Sequence, residues 1–91
     1  MFKTLEELIA IIRQRKDSST EESYTKKLLK NKKLGIEKVR EEIAELINSI
    51  EKNSNKIHEA ADVLYHLMVL LEANGVKIED VMKELKKREK K

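Results

Sequence analysis

From residue 60 to residue 71 the only fully polar side chains are Asp62 and His66. A helix that is apolar on nearly every face must be buried on nearly every face. A chain of 91 residues has little surface with which to bury it. The segment therefore predicts a central helix whose core is completed by a second copy of the chain, giving a homodimer with this helix near its middle. The remaining composition points to helices throughout. There is no proline and there are only two glycines, whereas a β-rich fold needs many turn residues. At 40% apolar and 41% charged residues, the chain is too apolar to be disordered.

The apolar periodicity predicts a single all-α domain over residues 1–91, a bundle of about four to five helices. Thr4 and Glu7 have the spacing of a capping box, so a first helix is expected over residues 5–16. A polar break follows at Asp17-Ser18-Ser19-Thr20. A second helix is expected over residues 23–30, ended by Lys32-Lys33-Leu34-Gly35, and a third over residues 36–52. Asn53-Ser54-Asn55 reads as a tight turn that also caps a fourth helix running to Asn74, with Gly75 as its C-cap. A last helix is expected over residues 78–88. No internal repeat or interdomain linker is visible.

Several function classes drop out. With no cysteine there can be no disulfide and no thiolate metal site. No stretch approaches about 18 uninterrupted apolar residues, and residues 1–16 lack the features of a signal peptide. A cytoplasmic protein is the expectation. The net charge of +3 could suit an anionic partner, but much of the excess sits in Lys86-Lys87-Arg88-Glu89-Lys90-Lys91, which reads more simply as a solvated helix end. Three aromatic residues are few for stacking on nucleic-acid bases.

The chemistry is concentrated in carboxylates. Glu42-x-x-Glu45 falls on the third helix and Glu59-x-x-Asp62 on the fourth. Residues three apart on a helix are surface neighbours. The short turn makes the two helices an antiparallel hairpin, in which residues equidistant from the turn lie level. Glu42 with Asp62, and Glu45 with Glu59, are each symmetric about residue 52. Four carboxylates can thus converge in two rungs about 4.5 Å apart along the axis. Such a group must be protonated, paired or bound to cation. All-oxygen ligation suits Mg²⁺, or Mn²⁺, rather than zinc. A Glu-x-x-Glu alone is usually a solvated helix face, as Glu41 and Glu51 are expected to be; the matched register and the apolar flanks of Asp62 favour metal.

His66 lies one turn beyond Asp62, where it either contacts substrate or hydrogen-bonds Asp62. Ser23-Tyr24-Thr25-Lys26-Lys27 offers hydroxyl and ammonium groups near a helix start, which can bind phosphate; alternatively Ser23 caps the helix and Tyr24 packs. Lys38, one turn before Glu42, can meet a phosphate beside the metal or pair with Glu42 or Glu45.

These segments together resemble a known family. Ser23-Tyr24-Thr25 with Leu28-Leu29, then Lys38-Val39-Arg40-Glu41-Glu42-x-x-Glu45, then the run from Glu59 to Leu67 look like phosphoribosyl-ATP pyrophosphohydrolase, the second enzyme of histidine biosynthesis, within the all-helical MazG-like pyrophosphohydrolases. The likeness covers nearly the whole chain. It implies Mg²⁺-dependent hydrolysis of the α–β phosphoanhydride of phosphoribosyl-ATP, giving phosphoribosyl-AMP and pyrophosphate. It implies Glu42, Glu45, Glu59 and Asp62 as metal ligands, with Glu42 or Glu45 as the catalytic base. It also implies Ser23, Tyr24, Thr25, Lys38 and His66 near the substrate. Arg40 and Glu22 stand where the family often has glycine. The cyclohydrolase domain sometimes fused to this enzyme has no counterpart here, so the next step is expected to need another protein. The alternatives are a pyrophosphohydrolase of other nucleoside triphosphates and a non-enzymatic helical interaction module.

Overall fold

The structure is a computed structural model that describes residues 1–17 and 23–89. Among the described residues all regular structure is helical, in the order α1 (Lys3–Asp17), α2 (Tyr24–Lys30), α3 (Lys32–Lys52), α4 (Lys56–Ala73) and α5 (Ile78–Arg88). The fold is therefore an all-α bundle. Within the chain α4 packs against each of the other four helices. No helix among the described residues is long and apolar enough to cross a membrane.

The helix ends show where local sequence decides and where packing does. α1 begins at Lys3, with the Phe2 carbonyl accepting from the Leu5 and Glu6 amides. Thr4 thus lies inside the first turn and cannot be the cap of a capping box. Of the polar break after α1, residues 18–20 lie outside the described residues, as does Glu22. Ser23 caps α2, its side-chain oxygen accepting from the Lys26 amide at 3.1 Å.

Lys32 to Gly35 do not end α2; they form the first turn of α3. Asn31 alone separates the two helices. Its amide donates to the Lys27 carbonyl, closing α2, and its side-chain oxygen accepts from the Leu34 amide at 3.1 Å, opening α3. Gly35 is buried within the helix, and a Cβ there would lie 3.2 Å from Leu70 Cδ1. Glycine stands here for close packing of α3 on α4, not to stop a helix.

The hairpin between α3 and α4 turns on Asn53 and Asn55, both left-handed with φ of 54° and 52°. Asparagine tolerates that conformation better than most residues. The Ser54 amide bonds the Ser49 carbonyl and the Asn53 amide the Ile50 carbonyl, the pattern of a Schellman ending with asparagine in the glycine position. Asn55 precedes α4 but makes no side-chain cap. The end of α4 repeats the pattern, with Val76 bonding Leu71, Gly75 bonding Glu72, and Gly75 at φ 73°. Arg40, where the family often has glycine, sits within α3 on an exposed face and needs no special backbone.

The core is small. Ile12 of α1, Leu28 of α2 and Met68 and Val69 of α4 are its buried centre, ringed by half-buried Leu5, Leu8, Leu29 and Leu71. Burying side chains of this size contributes about 1.5–3 kcal/mol each. Charge closes the far end: the Arg13 guanidinium reaches Glu72 of α4 at 3.1 Å and holds both carboxylate oxygens of Glu79 of α5, at 2.9 and 2.6 Å. Its hydrogen bonds hold the Glu79 carboxyl down at about 2.

The hairpin's outer side is left bare. Ile43, Ile47 and Ile50 of α3 and Ile57 and Leu64 of α4 are between 42% and 89% exposed. One chain therefore does not surround α4, because its other helices cover only part of that cylinder.

Candidate metal and nucleotide site

The site is built on the α3–α4 hairpin, whose two helices share the most extensive contact in the fold. Antiparallel packing brings the two acidic motifs together. Ligand atoms of Glu42, Glu45 and Glu59 lie within 4.8 Å of one another, and so do those of His58, Glu59 and Asp62. Three of the four expected carboxylates, Glu42, Glu45 and Glu59, meet in one triplet, and Asp62 joins Glu59 and His58 in a second. Glu45 is exposed, and Glu42, Glu59 and Asp62 are half-buried or nearly so, the Asp62 side chain being 38% exposed. Asp62 is thus less enclosed than its apolar neighbours suggest.

Glu42 is where the crowding is felt. Its Oε2 is buried without a hydrogen-bond partner among the described residues. Burial pushes the Glu42 carboxyl up, and nearby Glu45 and then Asp62 push it further, with His66 opposing. A buried, unpartnered carboxylate oxygen facing other carboxylates is the electrostatic signature of a position that takes a cation. The donor set, mostly carboxylate oxygen, fits a hard divalent ion.

The segment from Ser23 to Thr25 meets the hairpin from the side. Ser23 is committed to capping α2. The Tyr24 hydroxyl lies 2.8 Å from His66 Nε2, and His66 Nδ1 lies 2.8 Å from the Asp62 carbonyl. That carbonyl can only accept, so Nδ1 carries a proton, and in the neutral ring Nε2 accepts from Tyr24. His66 therefore bonds the Asp62 backbone, and its ring edges meet Tyr24 and Tyr65 at centroid distances of 5.7 and 5.0 Å. Thr25 hydrogen-bonds the Tyr65 hydroxyl. Burial raises the Tyr24 phenol, with Lys38 opposing and Tyr65, Glu42 and Glu41 adding to the rise. Lys38 is close enough to Tyr24 to act on it, but its ammonium pairs with Glu41 at 3.7 Å, not with Glu42 or Glu45. The i,i+3 geometry along one helix favours that pairing.

Two residues at this site escaped the sequence reading. Tyr65 belongs through its hydroxyl bond across to α2, which no local pattern encodes. His58 stands one helical turn before Asp62 on the same face, and that spacing was visible.

Comparison with known proteins identifies the family. The phosphoribosyl-ATP pyrophosphohydrolase family model matches residues 5–89. The chain belongs to the phosphoribosyl-ATP pyrophosphohydrolase family. It is 46% identical to the chloroplastic histidine biosynthesis bifunctional protein hisIE of Arabidopsis thaliana, over 93% of this chain and 33% of that protein. It is 45% identical to the bifunctional HisIE of Pyrococcus furiosus, over 94% of this chain and 41% of that one. Against the phosphoribosyl-ATP pyrophosphatase of Methylobacterium nodulans it is 44% identical over 93% of this chain and 82% of the relative. The chain thus spans about a third to two-fifths of these two bifunctional members of the family and most of the length of this monofunctional one.

Proposed function

We propose that this chain hydrolyses the α–β phosphoanhydride of phosphoribosyl-ATP to phosphoribosyl-AMP and pyrophosphate, the second step of histidine biosynthesis, with Mg²⁺ or Mn²⁺ held by Glu42, Glu45, Glu59 and Asp62. The observation that carries the reading is the buried, unpartnered Glu42 Oε2 among converging carboxylates, in a chain of this family. The bound ion supplies positive charge to the phosphate oxygens and to the leaving pyrophosphate, and lowers the pKa of water.

The chain's residues divide the remaining work. Glu42 and Glu45 are neighbours on α3, so whichever carboxylate oxygen the ion leaves free accepts the proton of the attacking water. Tyr24, fixed by His66, and Thr25, fixed by Tyr65, form a hydroxyl-bearing wall beside the carboxylates. Lys38 adds a positive charge on the same side, and its exposed partner Glu41 can release it to a phosphate at little cost. Ser23 supports this wall by starting α2.

The bare apolar side chains of the hairpin support a homodimer. Leu64 and Ala61 also line an apolar groove with Phe2, Leu5 and Leu8. Apolar surface of this kind marks an association site. Light scattering should give about twice the chain mass of 10.7 kDa; a stable folded monomer at micromolar concentration would rule the dimer out.

The activity is tested by incubating the protein with phosphoribosyl-ATP and Mg²⁺ and separating the products. Phosphoribosyl-AMP and pyrophosphate are expected. Hydrolysis of deoxynucleoside triphosphates, with phosphoribosyl-ATP untouched, would overturn the substrate assignment in favour of a related pyrophosphohydrolase.

A further inference from the structure

Three polar or charged side chains among the described residues are buried, and two of them have an evident place. His66 belongs to the site, and the Ser49 hydroxyl bonds the Leu46 carbonyl of its own helix. The third, Lys26, is 6% exposed and has no part in the chemistry above. Long cationic side chains ordinarily keep their heads in water. The Lys26 ammonium instead reaches back to α1 and donates to the Arg15 carbonyl at 3.3 Å. Arg15 lies in the last turn of α1, where carbonyls lack partners within the helix and the helix dipole favours a cation. A buried positive charge is therefore met by the negative end of a helix.

Where that contact falls along α2 gives it a consequence at the site. Lys26 follows Thr25 directly, and its amide is the donor to the capping Ser23. Helix α2 has seven residues, too few to stand on its own hydrogen bonds, so its direction is set by what it touches. Two of those contacts, Tyr24 to His66 and Thr25 to Tyr65, use the same hydroxyls that must turn to a phosphate. Lys26 grips α1, which carries none of the clustered carboxylates, so its bond does not compete with substrate. We propose that Lys26 is a positioning residue of the nucleotide site: by tying α2 to the C-terminal turn of α1 it holds the Tyr24 and Thr25 hydroxyls where substrate meets them, without touching substrate or metal. The inference rests on the reading of Tyr24 and Thr25 as substrate contacts.

The test compares Lys26→Met, which keeps an unbranched stem and removes the donor, with Lys26→Arg, which keeps a cationic donor. In Lys26→Met, KM for phosphoribosyl-ATP should rise at least about tenfold, the scale on which a hydrogen bond to a charged group counts. Its kcat should stay within about threefold, as for an interaction made equally in the ground and transition states. Mg²⁺ affinity, measured by calorimetry, should stay within about twofold, the ordinary limit for sites that share no partner. Folding stability should hold, since an apolar side chain of similar volume commonly replaces a buried ion without loss. The His66 Nε2 resonance should move as the Tyr24 bond loosens, and Lys26→Arg should keep both KM and that resonance near their wild-type values. A Lys26→Met chain that fails to fold, or that loses stability with KM and the resonance unmoved, makes Lys26 a purely structural residue and overturns the proposal. An equal rise of KM in both variants overturns it as well, tracing the effect to repacking. A resonance that moves with KM unchanged also overturns it, and removes Tyr24 and Thr25 from the substrate contacts. A wild type that leaves phosphoribosyl-ATP intact overturns the substrate reading and this proposal together.

Discussion

The Tyr24–His66 bond gives the sharpest test of how α2 is held against the site. His66 is only 8% exposed, and its Nδ1 proton is committed to the Asp62 carbonyl. Tyr24→Phe removes the donor to Nε2 and leaves a buried acceptor without a partner. Such a loss costs about 1–3 kcal/mol. Tyr24 itself is 45% exposed, so water can approach from its side, and the lower end, about 1 kcal/mol, is the expected value. For a domain of this size that lowers Tm by about 4–8 °C. His66→Phe is different, because the Tyr24 hydroxyl can turn to solvent; only the net bond, about 0.5–1.5 kcal/mol, is at stake. The double variant leaves no orphaned nitrogen and keeps the edge contacts to Tyr65. Its cost should therefore fall short of the sum of the singles by about 1 kcal/mol. Urea unfolding followed by circular dichroism, at one fixed protomer concentration, measures all three. Additivity within about 0.3 kcal/mol, the ordinary limit for uncoupled sites, would refute the bond, and a nitrogen spectrum showing the His66 proton on Nε2 would refute the tautomer.

Leu28→Ala should cost about 2–5 kcal/mol, since Leu28, at 2% exposure, is the fully buried apolar anchor of a seven-residue helix; a loss below about 1 kcal/mol in the same unfolding assay, well under that range, would show that the core closes without it. Asp62→Asn should abolish most of the Tm gain that Mg²⁺ gives the wild type and cut turnover by orders of magnitude, while leaving the metal-free protein at least as stable; stability lost without any change in metal response would mean a structural Asp62. Glu79 has a folded pKa of about 2, below its ordinary 4.5, so its pairing stabilises the protein above the ordinary value and that contribution fades as pH falls through about 2. Glu79→Gln should accordingly lower Tm at neutral pH, less so in high salt, with the difference shrinking as pH falls through about 2; a pH-independent difference would trace the effect to packing instead.

How much of this was readable from the chain depended on distance along it. The last helix falls at Ile78–Arg88 as its periodicity indicates, because its apolar spacing and its acidic start and basic end are all local. Gly35 misled for the opposite reason. Beside two lysines it looks like a stop, but its purpose is room for Leu70, which is distant in sequence. Thr4 has a capping spacing that the chain does not use, since the helix already starts before it, at Lys3. At the site, the pairing of Glu42 with Glu45 follows from helical repeat, and the meeting of the two acidic motifs follows from a short turn. The partial exposure of Asp62 depends on how the other helices lie around α4. The bonds from Tyr24 and Thr25 to His66 and Tyr65 depend on how α2 lies across α4. No spacing in the sequence carries either fact.

Asn31 sets the mechanics of that wall of hydroxyls. It ends one helix and begins the next, so α2 and α3 are joined through a single residue's two torsions, φ −120° and ψ 95°. Such a joint has two axes and no slack. Gly35 lies close against Leu70 just beyond it, so the α3 side is packed tightly on α4. A turn about ψ would disturb the bond by which Asn31 starts α3, whereas a turn about φ would carry α2 and Tyr24 while leaving that bond in place. The hydroxyl wall is therefore hinged, through one residue, directly to the first turn of the helix that carries Glu42 and Glu45.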